Sequence, residues 1–547
     1  MKKLSLALVM LLCVSILFTA CNSNPDVNED DPPPSPPVGE KVTLLKVGLP
    51  GDTGGYDPAT GTTDTPQQVI KACYRGLFSV EADGTLRNEI CTDYSIDASG
   101  LIYTINLRKD AKWSDGKIVT AHDFVFGWRR NLVPELKAAY ADLFNAVANF
   151  EECMAGEKPL EEFGVKALDD FTLEVTLSRT QPYFIQQTTF SPFYPVREDK
   201  VSLKSSDWSI QNVQDVVCNG PFKFDSYMQN EKIVIVPNPE SYQKNEVALE
   251  KIEFYFIPDQ QTSVSAFKSG EVDMAYSVPT DINETYDNAN EVVRVPYLVN
   301  NIMSFSGRFE PFQDIRVRKA FNIAINREQI CQIVGGASIP LYALIPPGVT
   351  NPATGKDFRE EGGDILVEDV ALAQRLMEEA GYPGGSGFPE ITYLYSNSAM
   401  HQDVAQAIQG MIKENLGVEI TLKGMEAQAF AADRRAGKFD IGRFGTSADY
   451  NDPMTWLALY DSSTAYIQKL TGYQTPEYDS LIKASDAELE PAKRFQMLHD
   501  AEKMMVEEYW WLPVSTYDKQ ILVKEYVKGF YTSTAGDIFI YAATIDK

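Results

Sequence analysis

The sequence predicts an α/β protein of several domains, and three observations lead there. The chain has 547 residues, more than one hydrophobic core accommodates. It is 44% hydrophobic and 23% charged, the balance of a folded globular chain rather than a disordered one. From residue 314 onward helical and strand patterns alternate, which argues for an open, largely parallel sheet flanked by helices.

Taken in order, the chain opens on a targeting signal. Lys2 and Lys3 precede the mostly apolar run Leu4 to Phe18, which is short for a membrane span, so a cleaved signal over residues 1–20 is expected. Thr19, Ala20 and Cys21 resemble a bacterial lipobox, which implies a lipid on Cys21. Residues 21–41 read as an acidic, proline-rich tether with Pro32-Pro33-Pro34 and Pro36-Pro37. About twenty extended residues reach ~60 Å.

Leu44 to Leu49 is a short strand, and Thr65-Pro66 a helix start with Thr65 as cap. Tyr103, Ile105 and Leu107 alternate with Thr104, Asn106 and Arg108, a half-buried strand. Thr120 caps the next helix, with Asp123 placed to reach back in a capping box. Leu136 to Asn149 reads as a second helix and Phe171 to Leu177 as a strand. Phe222 to Tyr227 and Lys232 to Val236 read as a pair of strands, and Ile252 to Ile257 and Val272 to Tyr276 as two more, with a helix from Thr262 to Lys268 between them. Asp314 to Val334 reads as one long helix and 346–364 as loop. Glu368 to Ala380 is a helix closed by Gly381. Strands at Ile391 to Tyr395 and Val418 to Leu422 flank a helix from Gln402 to Leu416. A further strand at Phe439 and Ile441 breaks at Gly445 into a polar segment with Asp449, Tyr450 and Asp452. Pro491 to Glu508 is the last long helix, followed by strands at Trp510-Trp511 and Ile521 to Val523.

Chemistry that the residues exclude narrows the function. A net charge of −28 repels polyphosphate, against nucleic-acid binding. The turn Gly51-Asp52-Thr53-Gly54-Gly55 lacks the Gly-Lys-Ser/Thr ending of a phosphate loop and the dinucleotide spacing. The three histidines, His122, His401 and His499, lie apart and fit no metal spacing, and no Gly-x-Ser-x-Gly elbow occurs. No catalytic residue, metal or cofactor is expected. Beyond Cys13 and Cys21, five widely spaced cysteines remain. Buried free thiols are expected, with a Cys73–Cys91 bridge as the alternative.

Several runs carry a resemblance to a known family. They are Ala111-Lys-Trp-Ser-Asp-Gly116, Thr120-Ala-His-Asp-Phe124 with Trp128-Arg129, Gly164 to Asp170, Asn219-Gly-Pro221, Ser269 to Asp273, Arg316 to Ala320, Asn415-Leu-Gly417, and Lys438 to Pro453. In this order, across residues 44–547, the chain resembles the bacterial oligopeptide-binding proteins, family 5 extracytoplasmic solute receptors of peptide ABC transporters. The resemblance implies a periplasmic-binding-protein-like type II fold, with two α/β lobes around a hinge near residues 298 and 516 and a third, inserted lobe. Lobe I would comprise 42–64, 197–298 and 517–547, lobe II 65–196, and lobe III 299–516.

It further implies that Asp449 takes the peptide amine, that Arg443 and His401 meet the peptide carboxylate at different peptide lengths, and that Gly445 and Tyr450 belong to the same ligand-binding stretch. The chain departs from the family where side-chain pockets are built: Thr446 and Ala427 stand where tryptophans are usual, and Gly335 where a lysine is. Altered side-chain or length preference is expected. The implied partners are an oligopeptide, ABC permease subunits and the membrane through the N-terminal lipid, with an extracytoplasmic, monomeric protein. The alternatives are the same fold holding a nickel chelate, haem or sugar, or a peptide-sensing surface lipoprotein without transport.

Overall fold

The computed structural model describes residues 43–52, 54–279, 281–286, 288–462, 475–534 and 536–547. The expected signal, tether and Cys21 lie outside them. Two mixed sheets carry the molecule. Leu44–Leu49 pairs in parallel with Lys251–Phe256 on one side and Met274–Ala275 on the other. Around them a seven-stranded sheet runs in the order Val292–Val295, Lys519–Val523, Met274–Ala275, Leu44–Leu49, Lys251–Phe256, Lys232–Pro237, Phe222–Met228. A six-stranded sheet runs Ser338–Pro340, Trp511–Tyr517, Val299–Phe305, Ile441–Ser447, Ile391–Ser396, Ile420–Met425.

The expectation of a largely parallel second sheet needs correction. Ile391–Ser396 is parallel to both its neighbours, whereas the pairings of Val299–Phe305 and Trp511–Tyr517 are antiparallel. The reason is connectivity. These two strands do not come from strand–helix–strand crossovers. The chain passes straight from Val295 in the first sheet to Val299 in the second, and returns from Tyr517 to Lys519. Only these short crossings join one sheet to the other at this edge.

A third, four-stranded antiparallel sheet lies between residues 91 and 176. Its alternation is the one the sequence predicts: Tyr103, Ile105 and Leu107 are buried and their intervening neighbours are not. The helix Ala121–Arg130 is tied to the preceding turn by one carboxylate. Asp123 Oδ2 accepts from the Thr120 N–H at 2.8 Å and from Trp113 Nε1 at 3.2 Å. Trp113 and Trp128 are fully buried in the same core. The run of residues that carried the resemblance is therefore structural. Asn219-Gly220-Pro221 has a similar role. The Asn219 side chain bonds both the N–H and the carbonyl of Arg75 at 2.9 Å, and a Cβ at Gly220 would stand 2.6 Å from the Cys73 carbonyl carbon.

Other expectations fail for local reasons. Residues 136–149 form no helix but two short 3₁₀ turns, Pro134–Leu136 and Ala141–Phe144, because Lys137 and Asn149 take left-handed backbone conformations. The long helix is two, Ile315–Ile323 and Arg327–Val334. The Asn326 side chain accepts from the Gln329 N–H at 2.7 Å and caps the second helix, in competition with helix continuation. The first helix begins at Asp64 with Thr63, not Thr65, at its cap position. The strand at Ile441 runs on through Gly445 to Ser447, and the loop at 346–364 holds the short helix Phe358–Gly362. Cys73, Cys91, Cys153, Cys218 and Cys331 are all free and buried, and the thiol beside Cys73 is that of Cys218 rather than Cys91.

One ion pair anchors the first core. Arg130 donates to both carboxylate oxygens of Asp57 at 3.1 and 2.7 Å, and both side chains are fully buried. Removing one member strands the other charge without water. Asp57→Ala is expected to lower stability by about 3–5 kcal/mol, read from the shift in urea denaturation midpoint. A loss below about 1 kcal/mol would show that Arg130 finds solvent or another partner.

Candidate functional site

Arg443 stands in the strand Ile441–Ser447, opposite Met303 of Val299–Phe305. Burial pushes its guanidinium pKa down, and the neighbouring Arg434 pushes the same way. The groups that favour its charge are the phenols of Tyr517 and Tyr393. Among the described residues no carboxylate pairs with it, and its buried Nε has no hydrogen-bond partner. A half-buried cation without an anion is less well solvated than one in water, so this position favours an anion that enters.

Gly445 allows the strand to pass here. A Cβ on it would lie 2.7 Å from the Asn300 carbonyl oxygen and 3.1 Å from Arg443 Nη2. Asn300 also accepts from the Thr446 N–H at 3.0 Å, and the Trp456 indole donates to the Thr446 carbonyl at 3.1 Å. These bonds hold the end of the strand on which the next residues depend.

Asp449 follows two residues after that strand. Its N–H donates to Thr455 Oγ1 at 3.1 Å, and the Tyr140 hydroxyl bonds its carboxylate. Burial pushes this carboxyl up to about 6, against the lowering effect of the Tyr140 bond. It is the mirror of Arg443, a half-buried acid with no ion-pair partner among the described residues. Tyr140 comes from the 3₁₀ region that the sequence reads as helix, and it also lies near Tyr297 and Asp64. Asp452, by contrast, is neutralised: Arg494 bonds both its oxygens at 2.7 and 2.8 Å. Tyr450 is a packing residue on this side, its ring stacked on Tyr183 at 5.1 Å. Asp449 and Tyr450 line a cavity of about 670 Å³ whose other wall comes from residues 142–187.

His401 lies in the first turn of the helix Ala399–Leu416, its N–H capped by Ser398 Oγ. Its Nδ1 meets Ser396 Oγ at 2.8 Å and the Ser396 carbonyl at 3.2 Å. Burial first, then Arg443, lowers its pKa to about 4. At neutral pH it is an uncharged imidazole beside a guanidinium. The structure therefore brings His401 and Arg443 together, with Asp449 six residues along the chain from Arg443. Tyr140, Tyr517 and Tyr393 complete the surroundings and were missed by sequence reasoning. They lie far apart in the chain, and nothing in their spacing marks them. Thr446 sits within the strand and Gly335 at the open end of the helix Arg327–Val334, where a Cβ would meet nothing within 4 Å. No group of three or more metal-ligating side chains occurs among the described residues, and no described helix is long and apolar enough to cross a membrane.

The pairing of His401 with Arg443 has a direct readout. In a proton NMR titration His401 is expected to show a midpoint of about 4, and Arg443→Gln to raise it while leaving it below 6.5, because burial is the larger cause. An unchanged midpoint in the variant would place the guanidinium elsewhere.

Residues 85–468 match the family of bacterial extracellular solute-binding proteins, family 5 Middle. The dipeptide-binding protein DppE of Bacillus subtilis is 32% identical over 505 residues, covering 91% of both chains. A probable deoxycholate-binding periplasmic protein, YgiS of Escherichia coli, is 28% identical and covers 88% of this chain and 89% of its own. Among solved structures, the oligopeptide-binding protein OppA of Listeria monocytogenes bound to peptide superposes with a TM-score of 0.74 at 26% identity, over 93% of this chain and all of the other. The murein tripeptide-binding protein MppA in its unliganded open form gives 0.77 at 26% identity, over 92% and 98%. These likenesses agree with the two mixed sheets joined by short crossings, the type II periplasmic-binding-protein architecture. The chain belongs to the family 5 bacterial extracellular solute-binding proteins.

Proposed function

We propose that the protein is a receptor for extended oligopeptides, held between two lobes that close about the crossings near residues 298 and 516 and passed to an ABC permease. The lobes are those expected from the sequence: 42–64, 197–298 and 517–547; 65–196; and 299–516. A lipid on Cys21 and the tether through residue 41 would hold the body, a monomer, on the extracytoplasmic side of a cell membrane, at the cell surface or in the periplasm.

The observation that carries the reading is the pair of half-buried charges, Asp449 and Arg443, with no ion-pair partner among the described residues. They are of opposite sign and lie on one stretch of chain. Six extended residues span at most about 20 Å, which suits a peptide of a few residues with its amine at Asp449 and its carboxylate at Arg443. A longer or shorter guest would place its carboxylate nearer His401, which accepts or donates a hydrogen bond without charge. The zwitterion matches both ends. A bile acid such as the ligand named for YgiS has no cation for Asp449.

Magnitudes allow it. Charge-assisted bonds contribute roughly 1.5–3 kcal/mol at each end, and neutral backbone bonds roughly 0.5–1.5 each. With four or five backbone bonds the sum is about 5–13 kcal/mol before ordering costs, and micromolar binding needs about 8. The peptide would lie as an added strand, its backbone read and its ends gripped. Thr446, Ala427 and Gly335 leave smaller walls, so its side-chain or length preference should differ from that of relatives with tryptophan and lysine there.

Two linked outcomes test the amine grip. Asp449→Asn is expected to weaken free-amine peptides by at least about tenfold in calorimetric titration and to leave N-acetylated ones nearly unchanged. The raised carboxyl of the free protein is ionised above about pH 6 and protonated below it. Affinity for free-amine peptides should therefore be full near pH 7.5 and fall by up to about tenfold per unit below pH 6, with no such fall for acetylated peptides. Equal losses for both peptide classes would remove Asp449 from this role.

A further inference from the structure

Two thiols that the peptide reading does not use lie side by side in the first core. Cys73 ends the helix Asp64–Cys73, and Cys218 stands just ahead of the strand Phe222–Met228, far along the chain. Both are fully buried. Each is held by its backbone. The Cys73 carbonyl accepts from the Gly220 N–H at 2.8 Å. The Cys218 carbonyl accepts from the Ser114 N–H at 2.8 Å, and the Cys218 N–H donates to Ser114 Oγ at 3.3 Å. The flanking residues are tied as well. The Tyr74 hydroxyl donates to the Val217 carbonyl at 3.3 Å, and the Asn219 side chain brackets the backbone of Arg75.

Gly220 sets how closely these two segments approach. A Cβ on it would stand 2.6 Å from the Cys73 carbonyl carbon and 2.8 Å from the Tyr74 nitrogen, so any larger residue would part them. At this separation the two sulfur atoms come into hydrogen-bonding contact. The other three buried thiols keep different company. Cys91 Sγ donates to the Asp93 carbonyl and Cys153 Sγ to the Pro159 carbonyl, both at 3.4 Å, and Cys331 lies beside Arg327.

The structure holds both groups as thiols. The family to which the chain belongs is extracellular, and disulfides form and persist outside the cytoplasm. A bridge needs close side chains on converging backbones, which two touching thiols on fixed backbones supply. We infer that Cys73 and Cys218 are oxidised to a disulfide as the exported chain folds. The oxidant is a disulfide donor of that compartment. One thiolate of the pair attacks the donor and displaces half of it as a thiol. The other then attacks the mixed disulfide and releases the second half. One S–S bond breaks and one forms; the cysteine pair gives up two electrons and two protons, and the donor takes them up. Burial of both sulfur atoms then shields the bond from reductants. The bridge fastens the end of the helix Asp64–Cys73 to the seven-stranded sheet and restricts the unfolded chain across a long loop. In the lobe division proposed above it joins lobe II to lobe I, so the two turn together when the cleft closes. The inference does not depend on which solute the cleft holds.

The test uses the full chain, exported by a bacterial host with its own N-terminal segment. Cells are broken directly into urea containing N-ethylmaleimide, which caps every free thiol, buried ones included. The chain is then digested without reductant and read by mass spectrometry, and a parallel sample is checked for cooperative thermal unfolding. A peptide pair linking Cys73 to Cys218 is expected, lighter by two hydrogens than the separate peptides, while Cys91, Cys153 and Cys331 carry the label. In Cys218→Ser, Cys73 should regain the label. The inference is overturned if Cys73 and Cys218 both carry the label in most of the folded native chain. It is equally overturned if Cys73 is joined to another cysteine, or stays unlabelled in the variant. Should export give no folded protein, the reduced chain refolded with oxidised and reduced glutathione and capped in the same way decides instead. The native chain decides alone should the variant not fold.

Discussion

A half-buried guanidinium with no carboxylate partner among the described residues is the constraint on which the candidate site turns. Arg443 is placed within a sheet strand, where its position is fixed by backbone pairing with Met303 on one side. Its hydration is reduced, and its neighbours are phenols, a neutral histidine and another arginine. Such a site is unfavourable to the free protein and favourable to an incoming carboxylate. Asp449 repeats the arrangement with the sign reversed. A protein that neutralised both internally, as Asp452 and Arg494 are neutralised a few residues away, would have nothing to offer a zwitterion.

The fold supplies the means of enclosing such a guest. Each of the two large sheets has its own packed core around it, and the chain crosses between them only at 296–298 and at 518. In the proposed hinge motion, changes in the few backbone torsions at those crossings would move the packed bodies. Arg443 and His401 stand on the six-stranded side, Asp449 just beyond the strand Ile441–Ser447, and Tyr140 meets Asp449 from the region of the four-stranded sheet.

Much of the fold was legible in the sequence because it rests on local rules. The alternation at Tyr103 to Leu107, the capping box at Thr120 and Asp123, and the glycine stop after Leu416 each follow from near neighbours. The failures were also local in origin but silent in pattern. Asn326 looks like any polar helix residue until its side chain is seen capping Gln329, and Lys137 carries no mark of its left-handed backbone. Strand direction in the second sheet was hidden because it is set by crossings from the first, more than two hundred residues apart in the chain. At the candidate site, Arg443 and Asp449 stand out in the sequence as the charged end of an apolar strand, but their roles, and His401, were reached only through resemblance. The physical distinction of Arg443 and Asp449, charge without an ion-pair partner among the described residues, depends on which residues surround them, and Tyr140 owes its place to tertiary packing alone.

The central claim is that Arg443 is the anion seat of the cleft. It is tested most directly by a double-mutant cycle between protein and ligand. A tight-binding peptide and its C-terminal amide are titrated against the native protein and against Arg443→Gln. Amidation is expected to weaken binding to the native protein by about tenfold or more and to have little further effect on the variant. Equal cost of amidation in both proteins would contradict it.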